Sequence, residues 1–169
     1  MIYKDEKPAI LMLGNGEYFE GVGLGATRKM TGEMTFTSIP GSGYVEMLTD
    51  PSCKDQILVF TYPSIGNYGV PAWEKDPHGI VQHFESDEIQ CGGIILNEYC
   101  KKPSHRESVK TLEEWLIEEE IPGIQWMDTR MLTQRLVENG SEMALLQVFE
   151  PGEDPDIAAM KREIKGIKE

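Results

Sequence analysis

Ile57-Leu58-Val59-Phe60 is an unbroken apolar run rich in β-branched residues, and Gly92-Gly93-Ile94-Ile95-Leu96 follows the same pattern further on. A half-exposed strand would alternate apolar and polar residues. Unbroken runs suit strands covered on both faces. Around them the first half of the chain reads as strands and turns. Ala9–Leu13, the turn formers Gly14-Asn15-Gly16, and Glu17–Glu20 predict a hairpin. Gly21, Gly23 and Gly25 are followed by another strand-like segment, Glu33–Ser38, and not by the helix a phosphate cradle needs. A sheet edge or bulge is expected there. Val70–Gln90, rich in Pro, Asp, Glu and His and weak in periodicity, predicts a long surface excursion.

The second half alternates helix and strand. Thr111-Leu112-Glu113-Glu114 fits a capping box, with Leu112, Trp115 and Leu116 on one face. Glu118, Glu119 and Glu120 oppose the helix dipole at the far end, and Pro122-Gly123 is expected to end the segment. Ile124–Met127 predicts a strand. Asp128 can cap a second helix that buries Leu132 and Leu136 and stops at Asn139-Gly140. Met143–Phe149 predicts a last strand, and Asp154-Pro155 opens a final helix over about 155–166 with Ile157, Met160 and Ile164 aligned. The fold class is therefore α/β: a mixed sheet with a β-rich first half and helices packed on it. With no repeat and no composition break, 1–169 reads as a single domain.

The 169 residues carry 16 Lys+Arg against 29 Asp+Glu, a net charge of −13. That balance disfavours binding to a nucleic-acid backbone or an anionic membrane. Met1–Pro8 is charged and has no apolar core of signal-peptide length, and no apolar run approaches a membrane span. Cys53, Cys91 and Cys100 are odd in number and form no CxxC pair. Neither a disulfide framework nor a zinc knuckle is expected, and a cytoplasmic location is the simplest.

Spacing alone reveals no active site. His78 and His83 lack a strict metal-ligand spacing, and His105 in Pro103-Ser104-His105-Arg106 reads as a loop residue. Cys91 and Cys100 read as small buried hydrophobes. Cys53 follows Ser52 in a polar turn beside Lys54, which leaves a thiol nucleophile open. No base is identifiable in the sequence, and Ser52 has no G-x-S-x-G context.

Four blocks in order carry more than any single motif. They are Gly43-Tyr44-Val45-Glu46-Met47-Leu48-Thr49-Asp50-Pro51-Ser52, Gln56–Pro63, Ile65-Gly66-Asn67-Tyr68-Gly69, and Met127-Asp128-Thr129-Arg130-Met131-Leu132-Thr133. With Gly32–Phe36 and Ile121–Ile124, they resemble the N-terminal domain of the small, glutamine-handling subunit of carbamoyl phosphate synthetase, over about residues 9–149. The resemblance implies a compact β/β/α domain preceding a class I glutamine amidotransferase domain with a Cys-His-Glu triad. Ammonia released there passes to a large subunit, which uses ATP and bicarbonate to make carbamoyl phosphate for arginine and pyrimidine synthesis. By the same resemblance Ser52 contacts L-glutamine, and Asp128 and Arg130 are candidates for the partner interface. Pro40, Cys53 and Ser64 depart from the family's usual residues, and Val70–Gln90 is longer than usual.

Nothing in the sequence matches the amidotransferase elbow G-x-C-x-G-x-Q, so the chain by itself is expected to hold no catalytic residue, metal or cofactor. The amidotransferase domain would be supplied in cis or by a separate chain. Two competing readings are a repurposed binding module on the same scaffold and a stand-alone cysteine hydrolase.

Overall fold

The computed structural model describes residues 5–167. Strands β1 (Pro8–Leu13) and β2 (Tyr18–Gly25) form the expected hairpin, turned at Gly16, whose φ of +88° is open to glycine. Strand β3 (Lys29–Thr37) begins four residues before the sequence pattern suggests and leads through a 3-10 turn into helix α1 (Tyr44–Thr49). A second 3-10 turn, Pro51–Cys53, precedes β4 (Ile57–Phe60). The short strands β5 (Ser64–Ile65) and β6 (Val70–Pro71) come before the long excursion. They pair with β8 (Glu98–Tyr99) and β9 (Ser108–Lys110), which follow β7 (Gly93–Ile95). The chain continues with α2 (Leu112–Glu118), β10 (Pro122–Gln125), α3 (Thr129–Asn139), β11 (Glu142–Val148) and α4 (Ile157–Gly166).

The sheet does not stay open. Its seven main strands close in the order β1-β11-β3-β4-β7-β10-β2, with β2 hydrogen-bonded back to β1. β3, β4, β7 and β10 run parallel to their neighbours in that series, and the remaining pairings are antiparallel. The predicted edge at Gly21 is therefore absent, because β2 is paired on both sides. A Cβ at Gly21 would stand 2.5 Å from the Gln125 carbonyl oxygen and 2.7 Å from Met127 Cε, so the glycine allows β2 and β10 to approach.

Alternation along the strands divides the core. Ile57 and Val59 join Leu11, Met34, Ile95, Ile124 and Leu146 in one cluster, together with Leu132 and Leu136 of α3. Leu58 and Phe60 point the other way, into a cluster with Tyr44 and Leu48 of α1 and Trp115 and Leu116 of α2. Ile10 and Met12 of β1 are covered by Met160 and Ile164 of α4. The double-sided burial read from Ile57–Phe60 thus has the strand interior on one face and helices on the other.

Two boundaries differ from the sequence reading. Pro122 and Gly123 open β10 instead of closing a loop, since both are buried and paired with β2. The chain leaves α2 through Glu120, which takes a left-handed φ of +57°. Helix α4 is capped by Asp156, whose Oδ1 accepts the Ala159 N–H at 2.9 Å, and not by Asp154. The capping box at Thr111 and Glu114 and the Asp128 cap form as expected.

Candidate functional site

Ser52 sits on the 3-10 turn between α1 and β4, and the turn is built by its neighbours. Asp50 Oδ1 accepts the Ser52 N–H at 2.8 Å, and Pro51 occupies the first helical position, where no donor is needed. The Cys53 N–H reaches the Asp50 carbonyl at 3.0 Å and the Gln56 N–H reaches the Cys53 carbonyl at 3.1 Å. Cys53 is buried and Ser52 is exposed, so one residue anchors the turn and the next is presented. Ser52 Oγ lies 3.8 Å from the Cys53 sulfur, a weak contact that leaves the hydroxyl accessible.

What fixes α1 in front of this turn is the far end of the long excursion. The last carbonyls of a helix have no partner within it. Here the Gln90 N–H donates to Leu48 O at 2.8 Å and Ser86 Oγ to Thr49 O at 2.6 Å, while the Glu85 N–H donates to Thr49 Oγ1 at 2.9 Å. Glu119 holds the excursion in turn, accepting the Ile89 N–H through Oε2 and the Trp115 indole N–H through Oε1 at 2.7 Å. Phe84 packs between Trp73 and Trp115, with ring centroids 5.0 and 5.8 Å away. The excursion is therefore on the surface as expected but stapled, and the acidic end of α2 has specific partners. Lys110 pairs with Glu118. At the head of α1, the buried Tyr44 hydroxyl donates to the Gly69 carbonyl, and burial pushes its phenol well above the ordinary range.

Asp128 and Arg130 lie elsewhere. Asp128 Oδ1 accepts the Met131 N–H at 2.9 Å and so starts α3. Arg130 is exposed, and among the described residues no ion pair reaches it. Ser52 precedes β4, at the end where the parallel strands begin, whereas Asp128 and Arg130 follow β10, at the end where they finish. The fold does not bring these candidates together. Just before Asp128, Trp126 is half-exposed with a left-handed φ of +67°, a conformation costly for a bulky side chain. It is held by Asn97, whose carbonyl accepts the Trp126 N–H at 2.9 Å and whose Nδ2 donates to Met127 O at 3.0 Å.

Their surroundings disfavour Cys53 and Cys91 as nucleophiles. Burial is the main cause that raises the Cys53 thiol, opposed by its contact with Ser52, and burial likewise pushes the fully enclosed Cys91 thiol up. Among the described residues no hydrogen bond joins a histidine to a cysteine. No group of three or more His, Cys, Asp or Glu side chains could hold a metal there. His78 is exposed on an Asp76-centred turn, and His83 stands 4.0 Å from Glu107. No helix among the described residues is long and apolar enough to cross a membrane.

Against known proteins, the profile described as "Carbamoyl-phosphate synthase small chain, CPSase domain" matches residues 11–146. The chain belongs to the carbamoyl-phosphate synthase small-chain family. It is 48% identical over 143 residues to the "Carbamoyl phosphate synthase arginine-specific small chain" of Schizosaccharomyces pombe, covering 84% of this chain and 34% of that one. Similarly named proteins of Phaeosphaeria nodorum and Chaetomium globosum are 44% and 42% identical, over 84% and 83% of this chain and 30% of each of theirs. The chain thus spans about a third of the length of the curated relatives it matches. Among solved structures, an aminopeptidase from Aneurinibacillus sp. strain AM-1 matches 86% of this chain and 31% of its own, at 14% identity and a TM-score of 0.44. That likeness is too slight to bear on fold or function. The compact mixed α/β barrel is the small-chain domain.

Two outcomes test the physical reading of this site. Glu119→Ala removes the acceptor of the Ile89 N–H and the Trp115 indole, so stability should fall by about 1–3 kcal/mol in urea denaturation. Amide exchange should quicken at Ile89 and Gln90, and unchanged protection there would mean that Glu119 does not hold the excursion. A raised thiol carries less thiolate at any given pH. Iodoacetamide at pH 8 should therefore label Cys53 and Cys91 far more slowly in the native chain than in urea, with the native rate climbing only at more alkaline pH. Mass spectrometry of labelled peptides reads this directly.

Proposed function

We propose that this chain is the N-terminal scaffold and docking domain of the small subunit of a glutamine-hydrolysing carbamoyl phosphate synthetase. The observation that carries the reading is the match of residues 11–146 to the small-chain family, the aligned part spanning about a third of the relatives' length. In this reading the domain does no chemistry of its own. Its sequence holds no G-x-C-x-G-x-Q elbow, and glutamine hydrolysis belongs to a class I amidotransferase domain in cis or on a separate chain. The ammonia goes to a large subunit that uses ATP and bicarbonate, so no cofactor is assigned to this chain. A cytoplasmic setting goes with that role, and nucleic acid and membrane are not partners.

Ser52 is the proposed glutamine contact. It is exposed on a turn fixed by Asp50 and anchored by the buried Cys53, which suits a hydroxyl that must keep its position before substrate arrives. A desolvated hydrogen bond to a charged amino acid is worth about 1.5–3 kcal/mol. Arg130 is the proposed anchor to the large subunit, projected from the first turn of α3, while Asp128 fixes that turn.

In the assembled enzyme, Ser52→Ala should raise KM for glutamine by roughly ten- to a hundredfold and leave ammonia-dependent carbamoyl phosphate synthesis unchanged. An unaltered KM removes Ser52 from the site. Arg130→Glu should leave the thermal midpoint of the chain within a degree or two, roughly the effect of an exposed substitution, while weakening co-purification with the large subunit. Loss of stability with intact assembly would reduce Arg130 to a surface residue of α3.

A further inference from the structure

The Thr61–Gly69 block has no part in the function proposed above, yet it lines a cavity of about 370 Å³. Tyr62, Ser64, Gly66, Asn67 and Tyr68 form one side of it, with Ser42 and the Ser104–His105 loop opposite. These residues come from the connection between β3 and α1, from the stretch between β4 and β6, and from the loop between β8 and β9. The first two leave the carboxyl ends of the adjacent parallel strands β3 and β4, the end at which ligands of parallel α/β sheets are bound. Ser52 lies beyond the other end of α1 and is not among the lining residues.

The lining has a definite polarity. In a chain with 29 acidic residues, no carboxylate is among the cavity's nine lining residues. Asn67 Oδ1 is taken by Ser104 Oγ at 2.9 Å, and the Ser104 N–H is held by the Asn67 carbonyl at 3.0 Å. The Asn67 amide is thereby oriented, and its two Nδ2 protons have no protein acceptor among the described residues. His105 stacks on Tyr68 at 4.4 Å and accepts the Glu107 N–H at Nδ1, 3.3 Å away. The neutral ring must then carry its proton on Nε2. Glu107, the acidic neighbour, is turned to the Tyr68 hydroxyl at 3.3 Å. The two groups of fixed polarity both donate, and the Ser42, Tyr62 and Ser64 hydroxyls can rotate to donate as well.

We propose that this cavity binds a small oxyanion-bearing metabolite, a carboxylate or a phosphate, on the domain itself. Neutral donors lining a concave site are a usual way to fix such a group, and an oriented amide lowers the ordering cost. The proposal is independent of the glutamine role assigned to Ser52.

Amide and ring resonances of the labelled full chain, followed by NMR through titrations with sodium acetate and with sodium phosphate at constant pH and ionic strength, test it. Saturable shifts are expected at the Asn67 side-chain amide, Ser104 and His105, absent with chloride. The anion that saturates at the lower concentration identifies the source. Asn67→Asp keeps an oxygen for Ser104 but puts a negative charge in place of the donor, and should weaken binding roughly tenfold or more. Tyr62→Phe removes a hydroxyl with no hydrogen-bond partner among the described residues and should weaken it about threefold or more. It serves as the deciding variant should N67D fail to fold. Shifts that stay linear with both anions, that chloride reproduces, or that both folded variants leave unchanged overturn the proposal.

Discussion

Strand β2 can bridge β1 and β10 only because residue 21 carries no side chain. A Cβ there would fall 2.5 Å from the Gln125 carbonyl oxygen, inside any tolerable contact, and would also press on Met127 and Ile124. Without that approach the sheet would have two open edges, each with unpaired backbone donors and acceptors. Closure has a second effect. It wraps β4 and β7 so that alternate residues face the strand-lined core and the helices. α1 and α2 then share one apolar cluster, and the contacts that position Ser52 all descend from that shared cluster.

The staple between α1 and the excursion shows how polar detail is added to this frame. A six-residue helix is too short to be stable by itself, and α1 has no side-chain cap at its start. Its ends are satisfied from outside: the Tyr44 hydroxyl on Gly69 at one end, and residues 85–90 on Leu48 and Thr49 at the other. Each such bond is worth only about 0.5–1.5 kcal/mol, but together they determine where the Pro51–Cys53 turn sits. The surface ion pairs are less informative. Lys29–Glu163 at 2.7 Å joins exposed side chains, and such pairs add little. Arg135 is better placed, since its guanidinium spans Glu17 at 2.9 Å and Glu142 at 3.0 Å, tying α3 to the hairpin turn and to β11.

These differences in range explain what could be read from the sequence. Ile57–Phe60, the Thr111 capping box, the Asp128 cap and the Gly140 stop are local patterns, and each formed as its residues predict. Helix α1 was invisible, because its residues carry neither a capping signal nor enough length, and what holds it lies some 40 residues away. Glu119 looked like a charge opposing a helix dipole because one of its partners, the Ile89 N–H 30 residues away, reaches it only after folding. Barrel closure is non-local in the same way: three glycines at alternate positions say that something approaches closely, not what. For the site, Ser52 is proposed on resemblance alone, and its exposure beside a buried Cys53 is a structural fact that spacing could not supply. His105 read as a loop residue because its neighbour in space, Tyr68, stands far from it in the chain.

The barrel's direction then separates two kinds of surface. The turn carrying Ser52 is short and held by backbone bonds, with the Ser52 side chain exposed. A second surface must cover it to make a pocket, which fits the proposed role as one wall of a shared glutamine site. The opposite end has a cavity, a strained exposed Trp126 and an exposed Arg130, all on connections at the carboxyl ends of the strands. Loops at that end reach the core at Ile65, Val70 and Tyr99 and through the Tyr44 hydroxyl bond to Gly69, while Tyr62 and Arg130 stand outside it. A substitution at the Ser52 end, by contrast, reaches Cys53 and through it the α1–α2 cluster. The two ends are thus under different physical constraints: at one, position is inherited from the core, and at the other it is set loop by loop.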